Sequence, residues 1–208
     1  VLVTRSETKV DRSIMDASAN LKVIARAAVG VSNIDIEYAT KKGILVINTP
    51  GKNTNSAAEL TLALLLSIFR KVPEAQVHVK AGQWERHRFS GLELRGKHLG
   101  IVGLGNVGHR VAQFAHGFNM KVSAYDPYLA PAVFEKYNVR SARSLAELAE
   151  QVDILTLHVP LNAETKGMLT RDILNKMKKG CYVINAARGG LFKETDILAS
   201  LQSGQLAG

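Results

Sequence analysis

The sequence predicts an α/β fold: a doubly wound parallel sheet with helices on both faces. Three observations predict it. Short apolar runs alternate with helix-length amphipathic stretches along the chain, as βαβ units require, because parallel strands need crossovers that cover both faces of the sheet. Hydrophobic residues make up 46% of the 208 and charged residues 22%, which suits a sizeable core and excludes a disordered tail. Finally, a glycine-rich turn stands where one apolar run gives way to a helix.

The elements follow in order. Residues 1–4 are a strand-like run with no initiating methionine and no turn before it. Further strands are expected at 21–25, 45–48, 98–103, 121–125, 153–158 and 181–185, each a short aliphatic or β-branched run. Helices are expected at 11–17, 36–42, 56–70, 106–118, 144–150, 170–178 and 193–203. Ser56-Ala-Ala-Glu59 fits a capping box, in which serine and glutamate satisfy free backbone N–H groups reciprocally. The helix behind it is apolar almost all round, from Leu60 to Phe69. Such a helix is buried on several sides, either as a central core helix or against a second copy of the chain. Residues 202–208 read as a helix end, a turn and the start of another strand. Both ends look cut, and the chain is read as part of something longer.

Composition excludes several partners. No stretch reaches the ~18 apolar residues that span a bilayer, and the best candidate, 60–69, carries Thr61 and Ser67. No membrane partner is expected. No secretory pattern opens the chain, and the single cysteine, Cys181, cannot form an internal disulfide, so a cytoplasmic setting is expected. The net charge is +9, and residues 70–98 hold seven basic and three acidic residues with His78, His87 and His98 among them. Charge alone ranks a solvated basic face first, ahead of nucleic acid or a small anionic substrate. The segment lacks the aromatic interleaving of a base-stacking surface, and no nucleic acid is expected. No metal site is expected.

Chemistry concentrates after residue 97. A strand runs into Gly103-Leu-Gly105-Asn106-Val107-Gly108 and then a helix. In this pattern the first glycine allows a tight turn, the second admits a pyrophosphate to the backbone, and the third lets helix and strand pack closely. The helix N-terminus offers free N–H groups to the phosphates. A second strand ends at Asp126, 23 residues after Gly103, near the spacing of the acid that binds the adenosine ribose. An aspartate there repels a 2′-phosphate and favours NAD. Two later strands lead into His158-Val159-Pro160 and Asn185-Ala186-Ala187-Arg188-Gly-Gly, at the carboxyl edge where open α/β sheets bind ligands. A guanidinium at Arg188 suits two-point binding of a carboxylate and a carbonyl.

These residues resemble the D-isomer-specific 2-hydroxyacid dehydrogenases. The resemblance rests on Gly-Leu-Gly-Asn-Val-Gly, on His158-Val-Pro-Leu-Asn-Ala-Glu-Thr165-Lys-Gly, on Asn-Ala-Ala-Arg-Gly-Gly, and on Thr49-Pro-Gly with Ala57-Ala-Glu, all in family order. It covers essentially the whole chain. It implies a Rossmann-type NAD-binding domain over 51–208, incomplete at its C-terminal end, and part of a flavodoxin-like substrate domain over 1–50. It implies that Gly103, Gly105, Asn106, Val107 and Gly108 form the pyrophosphate loop and that Asp126 holds the ribose. Pro127 and Tyr128 would flank the adenine end, with His158, Val159, Pro160 and Thr165 along its pocket. Ala186 and Ala187 would approach the nicotinamide, and Arg188 would orient the keto acid as a catalytic residue. The segments 4–9 and 84–94 look most like the phosphoglycerate branch of the family, which implies a phosphorylated hydroxy acid as substrate. There Arg5 and Arg26 would contact the phosphate, Val29, Gly30 and Asn53 would border the substrate, and Arg86 would reach across a homodimer built on the 56–70 helix region.

Ala28 and Ser32 depart from the family's commoner Gly and Asp, and Lys193 replaces a common acidic residue. The family's catalytic glutamate and histidine lie downstream of a strand that would begin at Leu206-Ala-Gly208, so turnover by residues 1–208 alone is not expected. Of the six histidines, solvated surface is the leading reading for most. Two other functions fit the resemblance: a glyoxylate or hydroxypyruvate reductase, and a non-enzymatic NAD-sensing corepressor-like dimer.

Overall fold

Aliphatic runs and their crossovers fold into two separate parallel sheets. The computed structural model describes residues 1–5 and 7–208, which divide into two compact units, Val1–Asn55 and Ser56–Gly208.

In the first unit β1 (Leu2–Thr4), α1 (Arg12–Asp16), β2 (Val23–Arg26), α2 (Ile36–Lys41) and β3 (Leu45–Ile47) alternate, and the strands pair in the order β1-β2-β3, all parallel. Val10, Met15, Ile24, Ile34, Ala39 and Ile44 form the core. Both helices start on an aspartate: Asp11 accepts the N–H groups of Ser13 and Ile14, and Asp35 that of Tyr38. Thr4 registers against Arg26, which puts Arg5 and Arg26 at the same carboxyl edge.

α3 (Thr54–Arg70) begins in the last two residues of the first unit and runs on into the second, where α4 (Val72–Lys80) and a 3₁₀ turn at Arg86–Phe89 follow. There follow β4 (His98–Val102), α5 (Asn106–Gly117), β5 (Lys121–Tyr125), α6 (Pro131–Lys136), β6 (Arg140–Ser141), α7 (Leu145–Gln151), β7 (Ile154–Leu157), α8 (Arg171–Lys176), β8 (Tyr182–Asn185) and α9 (Glu194–Gln202). The strand order is β6-β5-β4-β7-β8, all parallel. The chain winds outward from β4 in both directions, which opens a crevice at the carboxyl end of β4. Leu99, Ile101 and Ile154 pack with Val111, Ala112 and Ala115 of α5, while Val102, Leu155 and Leu157 pack with Leu148 of α7 and Leu174 of α8. Both faces of the sheet are therefore covered. At the C-terminal end, Val183 N–H donates to Gly208 and Ala207 N–H to Cys181, so these residues lie alongside β8.

The structure corrects several expectations. Ser56 lies inside α3, which starts at Thr54, so Ser56-Ala-Ala-Glu59 is not a cap. The working Ser-x-x-Glu cap is at α7: Ser144 accepts the Glu147 N–H at 3.1 Å, and the Glu147 carboxylate reaches back one residue beyond the cap to the Arg143 N–H at 2.8 Å. The basic segment contains a helix the sequence reading left out. Lys71, at φ 52°, breaks α3 from α4, and a proline in the first turn opens α4. α6 begins on Pro131 in the same way, and the two-residue β6 was too short to show periodicity. α3 buries Ala58, Thr61, Leu62, Leu65 and Phe69 but leaves Leu60, Leu64 and Ile68 exposed along one face.

Candidate functional site

The site begins where β4 ends. Gly103 turns at φ +90°, and a Cβ there would lie 2.8 Å from Val159 Cγ1 and 2.9 Å from the His158 carbonyl oxygen. Gly108, in the first turns of α5, lies so close to the turn that a Cβ would overlap the Gly103 carbonyl oxygen. Gly105 differs: a Cβ there would meet only open space. Gly105 also caps α5 with no side-chain bond, and the first turn of this 12-residue helix carries no acidic side chain. The free N–H groups and positive dipole end of α5 therefore face outward beside an open backbone.

Two neighbouring strand ends complete the walls. After β5, Asp126 Oδ2 accepts the Leu104 N–H at 3.0 Å and Oδ1 accepts the Tyr128 N–H at 3.1 Å. Each carboxylate oxygen keeps a further lone pair. After β7, the His158 N–H donates to the Val102 carbonyl at 2.8 Å. Burial pushes the His158 imidazole down to about 4, so it is neutral at pH 7, with Nε2 3.0 Å from Thr156 Oγ1. Beyond it, Asn162 Oδ1 accepts the N–H groups of Glu164 and Thr165, and Thr165 Oγ1 donates to the Pro160 carbonyl at 2.5 Å. The Tyr128 hydroxyl donates to Glu164 from the opposite wall.

The three strand ends enclose a cavity of about 330 Å³. It is lined by Gly103, Gly105, Asp126, Pro127, Tyr128, His158, Val159, Pro160 and Thr165, together with Val102, Tyr125, Asn162, Glu164 and Met168. Apolar walls, a bare backbone turn at a helix N-terminus and a carboxylate one strand away fit an adenine dinucleotide. Asn106 and Val107 lie in the first turn of α5, beside the cavity rather than in its lining.

Comparison with known proteins agrees with this geometry. Residues 62–208 match the model of the D-isomer specific 2-hydroxyacid dehydrogenase, NAD binding domain. The chain belongs to this dehydrogenase family. Over 207 residues it is 46% identical to the D-3-phosphoglycerate dehydrogenase of Bacillus subtilis, covering all of this chain and 39% of that protein. The chain thus spans about two-fifths of the length of the curated relatives it matches. A crystal structure of a Thermus thermophilus protein superposes with a TM-score of 0.90 at 38% identity, over 100% of this chain and 65% of that one. The D-lactate dehydrogenase of Aquifex aeolicus, solved with NAD and lactic acid, gives 0.86 at 32% identity, over 99% of this chain and 62% of that one.

The other expected site residues occupy separate segments of the chain. Ala186, Ala187 and Arg188 follow β8 and do not line the cavity. Asn185 holds that turn by accepting the Ala187 N–H and donating to the Arg188 carbonyl. The Arg188 side chain is exposed, with NH1 2.8 Å from the Ala187 carbonyl. Arg86 is exposed at the start of the 3₁₀ turn. In the first unit Arg5 and Asn53 are exposed, whereas Arg26 is buried and its Nε donates to the Gly30 carbonyl at 2.9 Å. Asn48 fastens the same loop through the Val29 carbonyl.

The histidines depart from the surface reading. His98 is pinned between the Gln151 carbonyl (3.0 Å) and Ser123 Oγ (2.8 Å), and burial lowers its pKa. His78 is buried against Phe89 and accepts the Glu85 N–H. His109 stacks on Tyr137, and His116 meets the Tyr137 carbonyl. Only His87 is exposed. The sequence reading also missed Val102, Tyr125, Asn162, Glu164 and Met168 in the cavity wall. The one available signal was Asn162-x-x-Thr165, a polar turn pattern.

Proposed function

We propose that the protein oxidises 3-phosphoglycerate to 3-phosphohydroxypyruvate, an early step of serine biosynthesis in the cytoplasm, and that this chain supplies its coenzyme site and part of its substrate site. The observation that carries the reading is the pairing of the bare Gly103–Gly108 turn with the Asp126 carboxylate, on a chain 44% to 46% identical to D-3-phosphoglycerate dehydrogenases over its whole length. Bound NAD supplies the hydride acceptor. The α5 N-terminus takes the diphosphate, Asp126 the ribose hydroxyls, and the Pro127–Tyr128 and His158–Pro160 walls the adenine. Arg188 holds the substrate carboxylate and carbonyl in a two-point grip.

In this reading residues 1–50 belong to the substrate domain and 51–208 to the coenzyme domain. Arg5 and Arg26, at one edge of their sheet, take the phosphate, with Val29, Gly30 and Asn53 beside it. Arg86 serves a second subunit, docked through α3. Proton exchange at the hydroxyl needs a group that titrates near neutrality. His158 is half-buried, neutral and engaged with Thr156, so it does not serve as that group, and residues 1–208 are expected to bind coenzyme without efficient turnover.

NADH fluorescence enhancement tests the coenzyme half: it is expected with this chain and lost in Asp126→Ala. Thermal melting tests the substrate half. 3-Phosphoglycerate should raise Tm beyond NADH alone, and Arg5→Ala should abolish the increment. An increment that survives Arg5→Ala, or one given equally by unphosphorylated glycerate, would overturn the phosphate assignment.

A further inference from the structure

The cavity wall carries a second anion whose position is set by a specific bond. Asp126 and Glu164 are the charged residues lining the cavity, and among the described residues no lysine or arginine joins them, in a chain whose net charge is +9. The two carboxylates are tied together through one residue. Tyr128 gives its N–H to Asp126 at 3.1 Å and its hydroxyl to Glu164. The bond joins the wall after β5 to the wall after β7. Glu164 is also held from behind, since Asn162 Oδ1 accepts its N–H at 3.0 Å. The geometry fixes this carboxylate on the rim instead of leaving it to swing through solvent.

We propose that Glu164 is a specificity-determining residue that rejects 2′-phosphorylated dinucleotides, with Tyr128 as the residue that positions it. The inference rests on the coenzyme reading of this cavity. If Asp126 takes the ribose hydroxyls, a phosphate on the 2′-oxygen enters a wall with two carboxylates. Sites that accept that phosphate carry an arginine there; this lining has none. Asp126 supplies repulsion from the ribose side and Glu164 adds to it from the facing loop. The positive charge that receives the diphosphate comes from backbone N–H groups of α5, which a carboxylate on the far wall does not neutralise.

The test is the ratio of the dissociation constants for NADPH and NADH, titrated by fluorescence with this chain at low and high salt. Glu164→Gln should shift the ratio toward NADPH by about three- to fivefold at low salt, the size expected of one partly exposed charge interaction. The shift should fade at ~0.5 M salt, where screening acts within a few ångströms. Tyr128→Phe should shift it the same way by a smaller factor; no shift in that variant would overturn the positioning role. An unchanged ratio in Glu164→Gln, with NADH still bound and its binding still lost in Asp126→Ala, would overturn the specificity role alone. NADH binding that is absent, or indifferent to Asp126→Ala, would overturn the coenzyme reading and the inference with it.

Discussion

A methyl group added at Gly103 has nowhere to go, because Val159 and the His158 carbonyl stand within 3 Å of it and the backbone is at φ +90°. Gly103→Ala is therefore expected to cost about 1–3 kcal/mol of stability, seen as a Tm several degrees lower. Gly105→Ala makes the opposite case. Its methyl group meets open space, so Tm should hold while NADH affinity falls, because the methyl occupies the approach of the diphosphate. A variant with low Tm and intact binding at Gly105 would contradict this assignment. His158 makes a pH prediction at the same scale. Its folded pKa is about 4, below the ~6.5 of a free imidazole, so the unfolded chain binds the proton first. Its contribution to stability is whole above pH ~6.5 and is lost as pH falls toward 4. Urea unfolding across that window should show a slope that His158→Gln flattens.

Helix α7 shows how much a single cap contributes. Ser144 and Glu147 satisfy two N–H groups at its start, and the helix buries Leu148 and Ala149 against β7 and its neighbours. Ser144→Ala should cost about 1 kcal/mol, or roughly 2–4 °C in Tm for a chain of this size. Calorimetry on that single variant checks it. By contrast, Ser56→Ala should leave Tm nearly unchanged, since Ser56 lies within α3. The two serines carry the same Ser-x-x-Glu pattern. Only the start of the helix, set by the chain upstream, decides which pattern caps. For α3 that upstream turn is closed by Thr54, whose hydroxyl and N–H both donate to the Gly51 carbonyl.

For the molecule as a whole, α3 is a long helix with unfinished packing. Leu60 is 53% exposed and Leu64 and Ile68 each 39% exposed, at four-residue spacing along one face. An apolar stripe of that kind is the surface that the proposed second subunit would cover. If α3 docks a second subunit, sedimentation should show a dimer for the parent chain and a monomer for Leu64→Lys, with NADH binding retained. A parent chain that sediments as a monomer at tens of micromolar would remove this role. The net charge of +9 belongs to the same scale. Among the described residues none of it lines the cavity, whose lining holds two carboxylates and neither lysine nor arginine, so under the proposed coenzyme reading the diphosphate would be held through backbone dipoles.

By itself the sequence determined the long strands of the second sheet, because aliphatic runs of the β4 and β5 kind bury on both faces, whereas the exposed two-residue β6 left no such run. It also determined the strand-turn-helix at Gly103, because the glycines are read from local geometry, and it placed Asp126 by spacing. What it left open depends on groups that are distant along the chain. The pinning of His98 needs Gln151 and Ser123; the neutrality of His158 needs burial by residues from several segments; the Tyr128–Glu164 bond joins residues 36 apart. α4 escaped because a short helix owes its existence to a left-handed residue and a proline at its border, not to periodicity. Local chemistry is written residue by residue, whereas burial and cross-wall bonds exist only once the sheet brings its carboxyl ends together.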